Sequence, residues 1–171
     1  MDIAQAVDVE LQIGAAAEGD QYLTFMLAGE EYGVDILRVQ EIKGWDRVTP
    51  VPNTPEYIRG VINLRGTIVP IIDLRLRFGL EPMEYGPTTV VIVLKVVHEE
   101  QSRIMGVVVD AVSDVYNVEA DALKPPPDLG SGVEVDFVQG LATVADKMVI
   151  LLEIDRLLNS GDLAAAREEV A

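Results

Sequence analysis

The chain has 171 residues, about one domain's worth, which is enough to bury a hydrophobic core or two small ones. Lys and Arg number 13 against 29 Asp and Glu, a net charge of −16 that repels phosphate backbones and anionic headgroups and so argues against nucleic acid or bare membrane as partners. Cysteine is absent, which excludes disulfides, thiolate nucleophiles and cysteine metal sites.

Apolar residues make up 49% of the chain but aromatics only 5%, so the core is built from Val, Ile, Leu and Ala, a strand-favouring mix. The longest apolar runs, such as Ile68–Ile72 and Met148–Leu152, are strand-sized and far short of a membrane span. No Lys or Arg precedes Arg38, so a basic secretion signal is missing and the chain reads as cytoplasmic.

Residues 1–20, Ala-rich and acidic, read as a loose tail. Gln21–Leu27 and Glu31–Asp35 read as strands around the turn Ala28-Gly29-Glu30. Ile36, Val39 and Ile42 have helical spacing, which predicts a helix over Ile36–Lys43. The prolines at 50, 52 and 55 break regular structure, and Glu56–Gly60 reads as one helical turn stopped by Gly60. Val61–Leu64 and Thr67–Ile72 flank Arg65-Gly66 as a tight hairpin. Pro70 places its strand at an edge or a bulge, and Asp73 caps a short helix over Leu74–Phe78. Val90–Val97 and Arg103–Val109 are strands around a polar turn. Pro125-Pro126-Pro127 and Gly130–Gly132 form a loop. Leu141–Thr143 and Lys147–Leu152 flank a turn at Ala145-Asp146. Ile154–Leu158 is a terminal helix, and the stretch 161–171 is a tail or a further short helix.

The chain repeats itself. Tyr57-Ile58-Arg59-Gly60 aligns with Phe137-Val138-Gln139-Gly140 at an offset of 80, and Ile68–Ile72, Asp73 and Leu74 fall on Met148–Leu152, Glu153 and Ile154. At an offset of 73, Tyr32-Gly33-Val34 falls on Met105-Gly106-Val107, Val39 on Val112, Glu41 on Asp114 and Ile42 on Val115. The pattern predicts two small β units sharing an interface. Equivalent elements facing each other across a groove would leave Val39 and Val112 half-buried until a partner arrives.

Chemistry is sparse. The lone His98 sits in a polar turn, which rules out a histidine-pair metal site. The serines lie in no nucleophile-elbow context, and phosphate-loop, dinucleotide and calcium-loop motifs are missing. No catalytic residue, metal or cofactor is assigned, although the abundant carboxylates leave an Asp/Glu-only hydrolase open. Arg65 stands out as one cation at a hairpin tip in an acidic protein.

Several blocks, taken in order, resemble the CheW family of bacterial chemotaxis coupling proteins. They are Gln21–Ile42, Asn53-Thr54-Pro55, Gly60–Gly66, Ile68–Arg75 and Gly106–Val115, and the resemblance covers about residues 21–160. It implies an all-β fold of two small five-stranded SH3-like or OB-like barrels with interleaved strands, one over residues 21–85 and one over 86–160, plus short helices. It also implies an adaptor without catalysis that binds the cytoplasmic tips of methyl-accepting chemoreceptors and the regulatory domain of the histidine kinase CheA. By resemblance, the receptor tip docks between the barrels on Val39, Glu41, Val112 and Val115, with Gly60 and Arg65 beside them. The kinase-facing surface uses barrel ends and loops, and no residues are assigned to it. Two other readings stand beside this one. The first is a regulatory module of a larger kinase system. The second is an oligonucleotide- or oligosaccharide-binding barrel, which net charge −16 and few aromatics disfavour.

Overall fold

The computed structural model describes residues 20–119, 122–125 and 137–159. The tails expected before residue 20 and over 161–171, and the loop around Gly130–Gly132, lie outside the described residues. Strands β1 (Asp20–Leu27) and β2 (Glu30–Asp35) form the first hairpin, and a 3-10 turn (Ile36–Arg38) leads into β3 (Val39–Gly44). Next come the hairpin β4 (Ile58–Leu64) and β5 (Thr67–Asp73), then helix α1 (Leu74–Arg77). Asp73 caps that helix by accepting from the Leu76 amide, and Gly79 follows its end at a φ of +73°. The second half runs β6 (Val90–His98), β7 (Gln101–Val109), β8 (Ala111–Val118), β9 (Leu123–Lys124), β10 (Val138–Val144), β11 (Lys147–Leu152) and helix α2 (Ile154–Asn159).

These strands build two open, barrel-like sheets, ordered β8-β1-β2-β11-β10-β9 and β3-β6-β7-β5-β4. The expected all-β architecture with interleaved strands is what the chain adopts. β3 leaves the β1–β2 hairpin to pair with β6, and β8 leaves the β6–β7 hairpin to pair with β1.

One large core lies between the sheets and draws on both. Leu23, Phe25 and Val115 come from one sheet, and Val39, Ile92, Leu94 and Val107 from the other. A smaller cluster fills the far side of each sheet: Tyr22, Val149 and Leu151 in the first, Val69, Ile71, Val91 and Val93 in the second. A strand buried on both faces needs no polar alternation. β6 therefore sends Val90, Ile92, Leu94 and Val96 to the shared core and Val91 and Val93 the other way.

The internal repeat is present in three dimensions. The pairing of β4 with β5 shifts register between Ile58 and Gly60, and that of β10 with β11 shifts between Val138 and Gly140. The Asp73 amide donates to the Tyr57 carbonyl at 2.7 Å, and the Glu153 amide donates to the Phe137 carbonyl at 2.8 Å. Each hairpin adds in parallel to the other pair of strands, Ile71 beside Gly106 and Leu151 beside Gly33. A Cβ on Gly106 would lie 2.7 Å from Ile71 Cδ1, and one on Gly33 would lie 2.8 Å from Leu151 Cδ2, so both contacts depend on a missing side chain.

Three local expectations are corrected. Ile36–Lys43 is not a helix but a 3-10 turn followed by β3. Val39 and Ile42 share the large core despite a spacing of three, because the pairing with β6 slips by one residue between Val39 and Glu41. The extra residue of such a bulge returns an odd spacing to one face and so imitates helical periodicity. Val112 and Val115 share that core across an equivalent slip in β8. Glu56–Gly60 is not a helical turn ended by glycine. One Pro55–Ile58 turn opens directly into β4, with Gly60 inside the strand. Pro70 lies on an interior strand, not an edge, and the bulge of this hairpin is in β4 between Ile58 and Gly60 rather than at Pro70. Its partner Val61 exchanges both backbone hydrogen bonds with Thr49 on the other side, so Val61–Pro70 is a non-bonded pair of the ladder. The proline nitrogen then faces β7, whose pairing with β5 begins only at Ile71.

Candidate functional site

The six residues expected to form the docking face divide by sheet. Val39, Glu41, Gly60 and Arg65 lie on the second sheet, Val112 and Val115 on the first. Arg65 and Gly66 make the two-residue turn of the β4–β5 hairpin, at φ of 49° and 90°. The Asn63 side-chain oxygen accepts from the Gly66 amide at 2.8 Å and braces the turn. This turn brings the Arg65 guanidinium to 3.1 Å from the Glu41 carboxylate on β3, with the Arg65 side chain 73% exposed. An exposed pair of this kind adds little to stability. Arg65→Ala is therefore expected to shift folding stability by no more than about 0.5 kcal/mol in a denaturant melt.

Of the two valines expected to be half-buried, Val39 and Val112, only Val39 departs from the expectation. Val39 is 8% exposed and Val115 9%, and both belong to the large core. Only Val112 is partly buried, packed against that core from its edge. Gly60 has a φ of +146°, and a Cβ there would run into the Thr49 carbonyl. Its role in the free protein is to let the Thr49–Pro50 backbone lie against β4. The structure thus joins Glu41 to Arg65 directly, places Val39, Val112 and Val115 in one core, and leaves Gly60 as a backbone device.

Sequence reasoning missed two charged clamps. Arg38 pairs with Asp155 through both guanidinium nitrogens, at 2.9 and 2.8 Å, and also donates to the Lys95 carbonyl. Asp155 accepts from the Val97 amide at 2.8 Å as well. Arg75 pairs with Asp110 at 2.8 Å through two nitrogens, and Asp110 also accepts from the Ala28 amide at 2.9 Å. These partners stand 117 and 35 residues apart, so no local spacing signals them. The repeat does carry a hint, since the offset of 80 places Arg75 on Asp155.

Burial pushes the Asp110 carboxyl up, but hydrogen bonds from Arg75 and the Ala28 amide, together with the Arg75 charge, outweigh it and hold the group below its ordinary range. A carboxyl with a depressed folded-state value contributes stability that is complete above its unfolded value, about 3.9. That contribution is lost as pH falls through the folded value. The drop in denaturation midpoint between about pH 5 and pH 2 is expected to be shallower in Asp110→Asn than in the parent chain. Identical pH slopes would show that the clamp does not couple to folding.

Another feature missed is an aromatic contact on the second sheet. Trp45 and Tyr85 have ring centroids 4.3 Å apart, and the Arg59 guanidinium lies 5.7 Å from the Tyr85 centroid. Among the described residues no group of His, Asp and Glu is placed to hold a metal ion, and no helix is long and apolar enough to cross a membrane.

Comparisons with known proteins agree with this architecture. Residues 21–162 match the family model described as CheW-like domain. The chain is 46% identical over 146 residues to a chemotaxis protein CheW of Klebsiella aerogenes, covering 85% of this chain and 86% of that one. It is 38% identical over 148 residues to the chemotaxis protein CheW of Rhizobium meliloti, covering 86% and 93%. The crystal structure of the scaffolding protein TtCheW from Thermoanaerobacter tengcongensis superposes with a TM-score of 0.75 at 34% identity, covering 86% of this chain and 92% of that one. A match running through nearly all of the described fold, on sheets of the same architecture, places this chain in the CheW-like family.

Proposed function

We propose that the chain is a non-catalytic chemotaxis scaffold that works in the cytoplasm at receptor arrays, joining chemoreceptor cytoplasmic tips to the histidine kinase CheA. Family membership over the whole described fold supports the scaffold role. The observation that carries the docking face is the Glu41–Arg65 pair. It is a charged contact held at a braced hairpin tip, where it contributes little to folding and is open to a partner. In this reading Glu41 and Arg65 orient the receptor tip, Val112 offers apolar surface, and Val39 and Val115 form the floor beneath. Gly60 shapes the neighbouring backbone. Apolar contact then supplies affinity and the charged rim supplies register. The kinase meets barrel ends and loops.

A scaffold of this kind acts by linkage. It biases the kinase only as far as the receptor-bound and free assemblies differ in their contacts with it. Individually weak contacts suffice where many are joined in an array.

A binding titration of Arg65→Ala against a soluble receptor cytoplasmic fragment tests the face. The variant is expected to bind about tenfold more weakly with an unchanged melt. Parental affinity for the fragment would remove Arg65 from the face.

A further inference from the structure

The two clamps share a design. The chain crosses between the sheets twice, from β2 to β3 through the turn holding Arg38, and from β7 to β8 through Asp110. At each crossing a bidentate Arg–carboxylate pair reaches the helix that follows a hairpin, Asp155 on α2 and Arg75 on α1. Each carboxylate also holds a backbone amide of the opposite sheet from its own side of the crossing. Asp155, which follows β11 of the first sheet, holds Val97 of β6, and Asp110, which follows β7 of the second, holds Ala28 after β1. The Asp110 amide donates to the Met26 carbonyl too.

The clamps occupy equivalent places in the repeat but with opposite polarity. An offset of 80 carries Arg75 onto Asp155, and an offset of 73 carries Leu37, the neighbour of Arg38, onto Asp110. Exchanging the helices between crossings would set Arg38 against Arg75 and Asp110 against Asp155. Like charges in such positions reject the exchange.

Both clamps stand directly before the strands that carry the proposed docking face. Arg38 is followed by Val39 and, two positions later, Glu41 on β3. Asp110 is followed by Ala111 and Val112 on β8. We propose that Arg38–Asp155 and Arg75–Asp110 are positioning contacts that fix the first residues of β3 and β8, and so set the two halves of the receptor-docking face against each other. This rests on the docking face proposed above. None of the four residues needs to touch the partner.

Arg75 is the sharper test, since its side chain is 15% exposed and that of Asp110 17%. Arg75→Met keeps the aliphatic stem and removes the fork. Arg75→Lys keeps the charge but cannot make both parallel bonds. Hydrogen exchange is measured on the full-length variants, beside titration with a soluble receptor cytoplasmic fragment. Arg75 also donates to the Glu81 carbonyl at 2.8 Å, so for Arg75→Met the expected result is faster exchange confined to residues 110–115, the β1–β2 turn and the segment around Glu81, with fragment binding weakened about tenfold. Arg75→Lys should fall between this variant and the parent in both readings.

Unchanged exchange at 110–115 would overturn the proposal, as would faster exchange with parental binding. Faster exchange throughout the chain in both variants would make the clamp a general stability contact and overturn positioning as well. If the parent itself does not bind the fragment, the docking face fails, and the exchange pattern alone decides whether the clamp holds β8.

Discussion

Val39→Asp is expected to cost about 4 kcal/mol of folding stability, which removes most of the stability of a domain at the low end of the ordinary range of about 5–15 kcal/mol. The side chain lies in the shared core, 8% exposed, opposite Leu94 on β6. A carboxylate there would lose its hydration among the apolar side chains of that core. Val112→Asp places the same charge at the edge of that core, where water reaches it, and should cost about 1–2 kcal/mol. Guanidinium melts followed by circular dichroism separate the two variants. Val39→Asp melting at the parental midpoint would mean that β3 turns this residue outward. Because Val39→Asp weakens the whole fold, a loss of receptor binding in it would not separate contact from stability. Val112→Asp is the variant that reports on the docking face.

Gly60→Ala should be nearly as damaging, about 3 kcal/mol, although it adds a single methyl group. Two effects act together. The φ of +146° is a conformation that a residue with a Cβ avoids. The added carbon would also meet the Thr49 backbone, with the Thr49 carbonyl carbon at 2.8 Å and Pro50 Cα at 3.2 Å. Thr49 and Val61 exchange both of their backbone hydrogen bonds at 2.9 Å, so the loop cannot withdraw without breaking that bridge. Gly66→Ala is the control. It too sits at positive φ, 90°, but nothing lies within 4 Å of its Cβ position, so only the backbone preference is lost, about 1 kcal/mol. Equal losses in the two variants would refute the close approach at Gly60.

Much of this fold is legible in the residues. Hairpins announce themselves where two apolar runs flank a turn pair, as at Arg65-Gly66 and Ala145-Asp146, and both turns take the positive φ that such a pair needs. The repeat is legible because the same backbone devices recur at fixed offsets. Gly60 with Gly140 and Gly33 with Gly106 mark places where equivalent strands meet closely.

Bulges hide the rest. Val39 and Ile42 share a face only because one residue is skipped between them, and a spacing of three then reads as helix. Pro70 reads as an edge because the sequence does not show that its partner Val61 bonds away from it. The burial of Val39 and Val115 is invisible from the repeat, which says that two positions are equivalent and not which way they face. The Glu41–Arg65 pair joins two residues singled out beforehand, yet their contact across 24 positions depends on the hairpin folding back over β3. The clamps depend on the interleaving itself, since Arg38 meets Asp155 only once β3 has crossed to the other sheet.

The central claim, a scaffold that joins two partners, is tested most directly by co-sedimentation. Membranes bearing chemoreceptors are mixed with CheA, with and without the full-length chain. Kinase is expected to pellet with the receptors in proportion to added chain, and its autophosphorylation to become responsive to receptor ligand. Arg65→Ala should lower both readings in step. Kinase that pellets equally without the chain, or stays in the supernatant at every concentration of it, would contradict the account.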